Sequence, residues 1–145
     1  MNPSSINFKF ERSDALLLLA FYAIAIPVSM LDYAEYDKWS TLIWETIVFA
    51  LLDTVCVYIL VFVLFRYFFP KGQFFRLLIA VLVMFSIMGY FYLAAYCQLR
   101  VCKGSFLSLK YFYSGLFWSL ESVGILASVV VGKKVFDAQL RLERL

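Results

Sequence analysis

Three carboxylates, Glu45, Asp53 and Glu121, stand inside long apolar runs of this sequence. A charged group at the centre of a bilayer costs on the order of 2.5–3.5 kcal/mol by insertion scales, so we expect these acids to face the protein interior. The chemistry open to them there is binding a proton or accepting hydrogen bonds. Asp53 and Glu121 fall near the middle of their runs, whereas Glu45 lies closer to one end and is more simply explained as reaching the interface.

Hydroxyl groups are the expected partners of these acids. No lysine or arginine lies deep enough in a run to pair with Asp53 or Glu121, whereas Ser119 and Ser122 flank Glu121 directly. Two interpretations of these buried polar residues stay open: a proton- or ligand-sensitive site, or a hydrogen-bonded clasp that fixes helix register. We favour the clasp for Glu45. The candidate hydroxyl donors are Tyr22, Thr54, Ser86, Tyr90 and Ser119.

The sequence offers little other reactive chemistry. It has no histidine, which removes imidazole bases, histidine metal ligands and Ser-His-Asp arrangements. The three cysteines lack Cys-x-x-Cys spacing, and we expect Cys56 to be a packing residue. A disulfide between Cys97 and Cys102 would need an oxidising compartment and a helix that ends between them. We therefore expect no enzyme activity, no metal and no cofactor.

The composition is that of an integral membrane protein. Hydrophobic residues make up 64% of the 145 residues and charged residues only 16%, against about 45–50% and about 25% in soluble domains. The net charge of +3 is too small to indicate a nucleic-acid partner, and the lipid bilayer is the expected surrounding.

Four apolar runs are long enough to cross a bilayer. The links between them are short, which favours antiparallel neighbours and an all-α, four-helix membrane bundle. We expect a cytoplasmic N-terminal segment over 1–13, a transmembrane domain over 14–132 and a cytoplasmic helical extension over 133–145. The predicted spans are 15–31, 41–69, 75–99 and 111–132.

The distribution of basic residues predicts the orientation. Nine of the 13 lysines and arginines fall on the same side as the N-terminus, and four fall on the other side. The positive-inside rule then places both termini in the cytoplasm.

A stripe with heptad spacing runs through the fourth span into the extension. Its steps alternate between three and four residues, and no proline or glycine follows Gly132 to stop the helix. The stripe favours a homodimer seam that continues as a coiled coil, although a simple amphipathic tail is the open alternative. Its members are Glu121, Gly124, Ser128, Val131, Val135, Ala138, Leu142 and Leu145.

Two stretches resemble the membrane region of LytS-like bacterial sensor histidine kinases. Residues 63–76, Val-Leu-Phe-Arg-Tyr-Phe-Phe-Pro-Lys-Gly-Gln-Phe-Phe-Arg, are similar to the aromatic end of one span, a proline turn and the basic start of the next. Residues 119–145 are similar to the last span and signalling helix that lead into the kinase core. That core carries a phospho-accepting histidine, which this chain lacks. The resemblance therefore implies a sensor portion without the kinase core, in a bacterial inner membrane.

These observations predict a membrane sensor or transducer that passes a signal through its fourth helix to a downstream kinase core or partner. Two alternatives stay open. One is a small proton-coupled transporter in which Asp53 or Glu121 carries the proton. The other is a structural subunit of a membrane complex, with the carboxylates as interface contacts.

Overall fold

The computed structural model describes residues 6–33, 38–99 and 109–144. Within these ranges every regular element is helical, and four helices are long and apolar enough to cross a membrane. This confirms the predicted all-α class with four long apolar helices. They are α1 (Arg12–Tyr33), α2 (Trp39–Phe68), α3 (Phe74–Leu99) and α4 (Leu109–Glu143).

Helix α1 begins at Arg12, slightly before the predicted span, because Asp14 caps its first turn. The Asp14 carboxylate accepts a hydrogen bond of 2.8 Å from the backbone N–H of Glu11, and this bond satisfies an N–H that a helix start leaves open. At the other end of the chain, α4 passes Gly132 without a break and reaches Glu143. The absence of a helix-breaking residue after Gly132 predicted this continuity.

Helix α2 changes geometry along its length. It is α-helical over Trp39–Val57, widens to a π-helix over Tyr58–Phe65 and closes with an α-helical turn over Arg66–Phe68. A π-segment of eight residues is long, since most π-helices are single turns. A tight turn then leads into α3, and Gly72 supplies the positive φ of 64° that this turn requires.

The core lies between α2, α3 and α4. Val57 and Val61 of α2 and Val123 and Val130 of α4 are completely buried, and Met88 of α3 packs in the same cluster. Helix α1 lies at the edge of this core: Leu18 is buried in it, while several other large side chains of α1 face outward. Its exposed apolar residues include Leu16, Leu19, Ile24 and Leu31.

Glycines bring α3 and α4 close together. A Cβ atom added to Gly115 would lie 2.9 Å from the carbonyl oxygen of Gly89, so only a glycine fits at position 115 without a shift of the backbone. Small residues of this kind let membrane helices approach closely. The close crossing fixes how α4 is rotated against α3, and hence which of its faces points outward.

The heptad stripe of α4 is not one continuous exposed face, and the predicted homodimer seam stays a prediction. Ser128 and Leu142 are exposed, but Ala138 is only 5% exposed and packs within the chain's own bundle. Of the stripe's other members, Gly124, Val131 and Val135 are half-buried and Leu145 lies outside the described residues.

Candidate functional site

Asp53 joins three helices in the apolar part of the bundle. Its Oδ1 atom accepts hydrogen bonds from the hydroxyl of Tyr92 on α3 and from that of Ser122 on α4, the latter at 2.9 Å. The Tyr92 side chain is buried, and its ring stacks on Phe49 of α2 with centroids 5.7 Å apart. The stacking holds the phenol group in place beside the carboxylate.

The hydroxyl groups of Tyr22 and Thr54 connect α1 to α2, one residue after Asp53. Thr54 donates to the hydroxyl of Tyr22 at 2.9 Å, and Tyr22 donates to the backbone carbonyl of Ala50 at 3.0 Å. Through Asp53 and Thr54 together, α2 is hydrogen-bonded to each of the other three helices. We call Tyr22, Asp53, Thr54, Tyr92 and Ser122 the membrane polar cluster.

The other predicted polar residues do not reach Asp53. Ser119 is buried and donates to the carbonyl of Leu116 in its own helix at 2.9 Å. Glu45 is half-buried on α2, about 12 Å from Asp53 along the helix axis at 1.5 Å per residue.

Glu121 does not face the interior, so this prediction was wrong. Its side chain is exposed, whereas the neighbouring Ser122 carries the bond to Asp53. Successive residues of a helix point about 100° apart, so Glu121 and Ser122 cannot both meet α2. The glycine crossing with α3 selects the rotation that brings Ser122 inward.

The membrane polar cluster can do two things chemically. A carboxylate held by two hydroxyl donors can exchange a proton, and it can act as a clasp that fixes three helices in register. Within the described ranges no group of histidine, cysteine, aspartate and glutamate is arranged to hold a metal ion.

A second cluster joins the start of α1 to the C-terminal third of α4. Asp14 is completely buried, and its two carboxylate oxygens accept from Lys133 at 2.9 Å and from Lys134 at 2.6 Å. Lys133 also bonds Asp137 at 3.0 Å and the hydroxyl of Ser13 at 2.9 Å. We call Asp14, Lys133, Lys134 and Asp137 the ionic cluster.

The residues before α1 form a strap over the ionic cluster and α2. Lys134, itself 3% exposed, donates to the backbone carbonyl of Lys9 at 2.8 Å. The buried ring of Phe8 packs between Phe65 and Phe69, with centroids 5.8 Å and 5.5 Å away. Phe10 packs on Phe62 at 5.0 Å. The strap, residues 6–11, therefore connects the π-helical part of α2 to α4.

Sequence reasoning missed the ionic cluster, although a signal for it existed. The sequence analysis gave Asp14 no partner, and it used the two lysines only as part of the basic-residue count that predicts orientation. Asp14 lies at the start of the first span, and Lys133 and Lys134 follow the last span. When both termini are on the same side of the membrane, these three residues lie at the same depth. Opposite charges at the same membrane boundary could have been paired on that ground.

The cysteines differ in state. Cys56 is free and completely buried beside the core valines. Cys97, near the end of α3, is disulfide-bonded, while Cys102 lies outside the described residues.

Four long apolar helices joined by buried polar groups are the architecture of a multi-pass membrane protein. No protein-family model, curated protein or solved structure matches the chain.

Proposed function

We propose that this chain is a membrane sensor or transducer in which α4 carries a conformational change from the membrane interior to its own C-terminal part. The observation that carries the proposal is that one unbroken helix, α4, contributes residues to both the membrane polar cluster and the ionic cluster. Ser122 of α4 bonds Asp53, and Lys133 and Lys134 of the same helix bond Asp14. Eleven residues separate Ser122 from Lys133, or about 17 Å along the axis.

The mechanism is a change of packing and not a chemical reaction. Protonation of Asp53, or a ligand that competes for its oxygens, weakens the contact between α4 and the other helices. Because α4 is one stiff rod, a small rotation or tilt at Ser122 moves the ionic cluster and the exposed Leu142 beyond it. The strap contacts the ionic cluster, so this movement determines whether the strap stays bound to the C-terminal part of α4 or detaches from it.

The proposed orientation places both termini in the cytoplasm of a bacterial cell. The ionic cluster puts the start of α1 and the foot of α4 at one end of the bundle. The disulfide-bonded Cys97 lies towards the other end, and disulfides persist in oxidising compartments outside the cytoplasm. The resemblance to LytS-like sensor regions agrees with this arrangement and supports a downstream kinase core or partner. In this proposal the chain has no catalytic activity.

Spin-label distance measurements on the full chain in lipid nanodiscs test the proposal. Labels at Arg76→Cys and Leu142→Cys, in a Cys56→Ala background, report the distance between the start of α3 and the C-terminal end of α4. We expect Ser122→Ala and Asp53→Ala to shift or broaden this distance distribution. Ser128→Ala is the matched control, because among the described residues Ser128 bonds only the carbonyl of Gly124 in its own helix. An unchanged distribution in the folded Ser122→Ala and Asp53→Ala proteins would contradict transduction through α4.

The second candidate function is a proton-coupled transporter. The half-buried carboxylate of Asp53, set among three apolar helices, favours it. Proteoliposomes with an internal pH dye separate the two functions. A transporter would move protons down an imposed gradient and lose that flux in Asp53→Asn, whereas a transducer or a structural subunit would show no flux in either protein.

A further inference from the structure

The outward face of α4 carries an acid in the middle of the apolar region. Exposed residues repeat along it with steps of three and four, the pattern of one helical face. This face consists of Glu121, Ile125, Ser128 and Gly132 in the apolar part, followed by Phe136 and Gln139. It points away from Val123 and Val130, which are completely buried in the core.

Glu121 lies near mid-bilayer. Twelve residues separate it from Lys133 at the membrane boundary, about 18 Å along a helix, and the hydrocarbon layer is about 30 Å thick. Among the described residues it has neither a hydrogen-bond nor an ion-pair partner, and its side chain is exposed. Acids at this depth normally face a protein or a watery cavity and pair with another polar group. The partner of Glu121 is therefore to be sought outside the chain.

The surface around Glu121 has room for another helix. A Cβ atom added to Gly124 or to Gly132 would meet nothing within 4 Å, in contrast to Gly115 in the α3–α4 crossing. Small side chains let a neighbouring backbone come close enough for an interhelical hydrogen bond. Ile125, which is 55% exposed, lies between these glycines and offers apolar contact.

We propose that this face of α4 binds a membrane-spanning helix of a different protein that carries a lysine or arginine near mid-bilayer. The carboxyl group of Glu121 selects this occupant, because acidic and basic residues within membrane spans pair with one another. A second copy of the chain cannot supply the cation, because its basic residues all fall near the ends of the spans or outside them. The proposal stands whether or not the chain is a transducer, since it concerns a surface that neither polar cluster uses.

Energy transfer in liposomes tests this interaction with a defined probe. The full chain carries a donor dye at Lys71→Cys in a Cys56→Ala background. The probe is a synthetic leucine-rich helix of about 20 residues with one central lysine, labelled with an acceptor. The control probe has leucine at that position. We expect the lysine probe to bind at least about tenfold more tightly than the leucine probe, as one good interhelical bond predicts.

Three variants locate the binding surface. Glu121→Gln should reduce binding of the lysine probe to the level of the leucine probe, and Ile125→Trp should reduce it by filling the space between the glycines. Glu143→Gln is the matched control, an exposed acid near the foot of α4 that should leave binding unchanged. Both test positions are exposed, so circular dichroism should show intact folding.

Three results would overturn the proposal. The first is equal affinity for the two probes, and the second is binding of the lysine probe that survives Glu121→Gln. The third is Glu121-dependent energy transfer between donor-labelled and acceptor-labelled copies of the chain, which would make this face a homodimer contact. None of these results bears on the distance measurement that tests transduction.

Discussion

The Asp14 carboxylate and the Lys134 ammonium group lie 2.6 Å apart, and both side chains are almost completely removed from solvent, at 0% and 3% exposed. The two residues come from opposite parts of the sequence. Their contact joins the start of α1 to the C-terminal part of α4. The strap packs at the same place. Polar contacts therefore hold the peripheral helix α1 at two places in the part of the chain that the structure describes. Ser13 and Asp14 contact the lysines of α4, and Tyr22 bonds Thr54 and the Ala50 carbonyl of α2.

Removing one partner of this buried ion pair should strongly destabilise the protein. Asp14→Ala leaves Lys134 buried without its counter-charge, which we expect to cost about 3–5 kcal/mol. Thermal unfolding in detergent, followed with a dye that reacts with the buried Cys56 thiol as it becomes exposed, measures the effect. Arg141→Ala is the control, because Arg141 is 63% exposed and lies 3.8 Å from Glu11, a pair worth below about 1 kcal/mol. Equal melting temperatures for the two variants would refute the role given to Asp14.

Loss of the Phe8 ring should release the strap. Phe8 is 3% exposed and packs between Phe65 and Phe69, whereas Phe10 is 40% exposed. We expect Phe8→Ala to accelerate trypsin cleavage after Lys9 or Arg12 by at least about tenfold, the factor that corresponds to about 1.4 kcal/mol of local opening. Phe10→Ala should have a clearly smaller effect. Mass spectrometry of timed digests gives both rates, and similar acceleration in the two variants would show that Phe8 does not anchor the strap.

A single methyl group should distinguish the two glycine environments of α4. In Gly115→Ala the new Cβ atom meets the Gly89 carbonyl oxygen at 2.9 Å, and we expect a loss of about 1–3 kcal/mol as the helices are forced apart. In Gly124→Ala nothing lies within 4 Å, and the better helix propensity of alanine should leave stability unchanged or raise it by up to about 1 kcal/mol. Thermal unfolding in detergent compares them. A Gly115→Ala protein as stable as the parent would mean that the crossing is loose.

Asp53 and Ser122 should be energetically coupled. A double-mutant cycle of Asp53→Ala and Ser122→Ala should give a coupling of about 0.6 kcal/mol, and at most about 1.7 kcal/mol, the range for hydrogen bonds between membrane helices. The parallel cycle of Asp53→Ala with Ser128→Ala should give none, since Ser128 bonds its own helix. Stabilities from reversible unfolding in mixed micelles supply both cycles. Coupling of the same size in each would remove the specific link between α2 and α4.

The proposed orientation predicts which loops an impermeant reagent can reach. Lys38 and Lys71 are both exposed and lie at opposite ends of α2. In a Cys56→Ala background, Lys38→Cys should react with an impermeant maleimide in intact cells. Lys71→Cys should react only after permeabilisation. The reverse pattern would place both termini outside and remove the cytoplasmic output from the proposed mechanism.

Much of this architecture follows from one-dimensional properties of the sequence. Long apolar runs determine four helices, because a bilayer leaves no other way to satisfy the backbone. The lack of a breaker after Gly132 determines that α4 continues to Glu143. Asp53 could likewise be singled out, because a lone acid in such a run needs a polar partner.

Only the tertiary structure shows how each helix is rotated about its axis. This rotation determines which side chains contact each other. Glu121 and Ser122 are adjacent polar residues at the same depth, yet the contact of Gly115 with Gly89 turns Ser122 to Asp53 and Glu121 outward. The same helix places Ala138 inside the chain's own bundle, so the predicted stripe is not exposed along its whole length. The pairing of Asp14 with Lys133 and Lys134 also depended on which helices became neighbours. Hydropathy determines depth along the membrane normal, whereas rotation and neighbours depend on close packing between distant residues, which no local pattern contains.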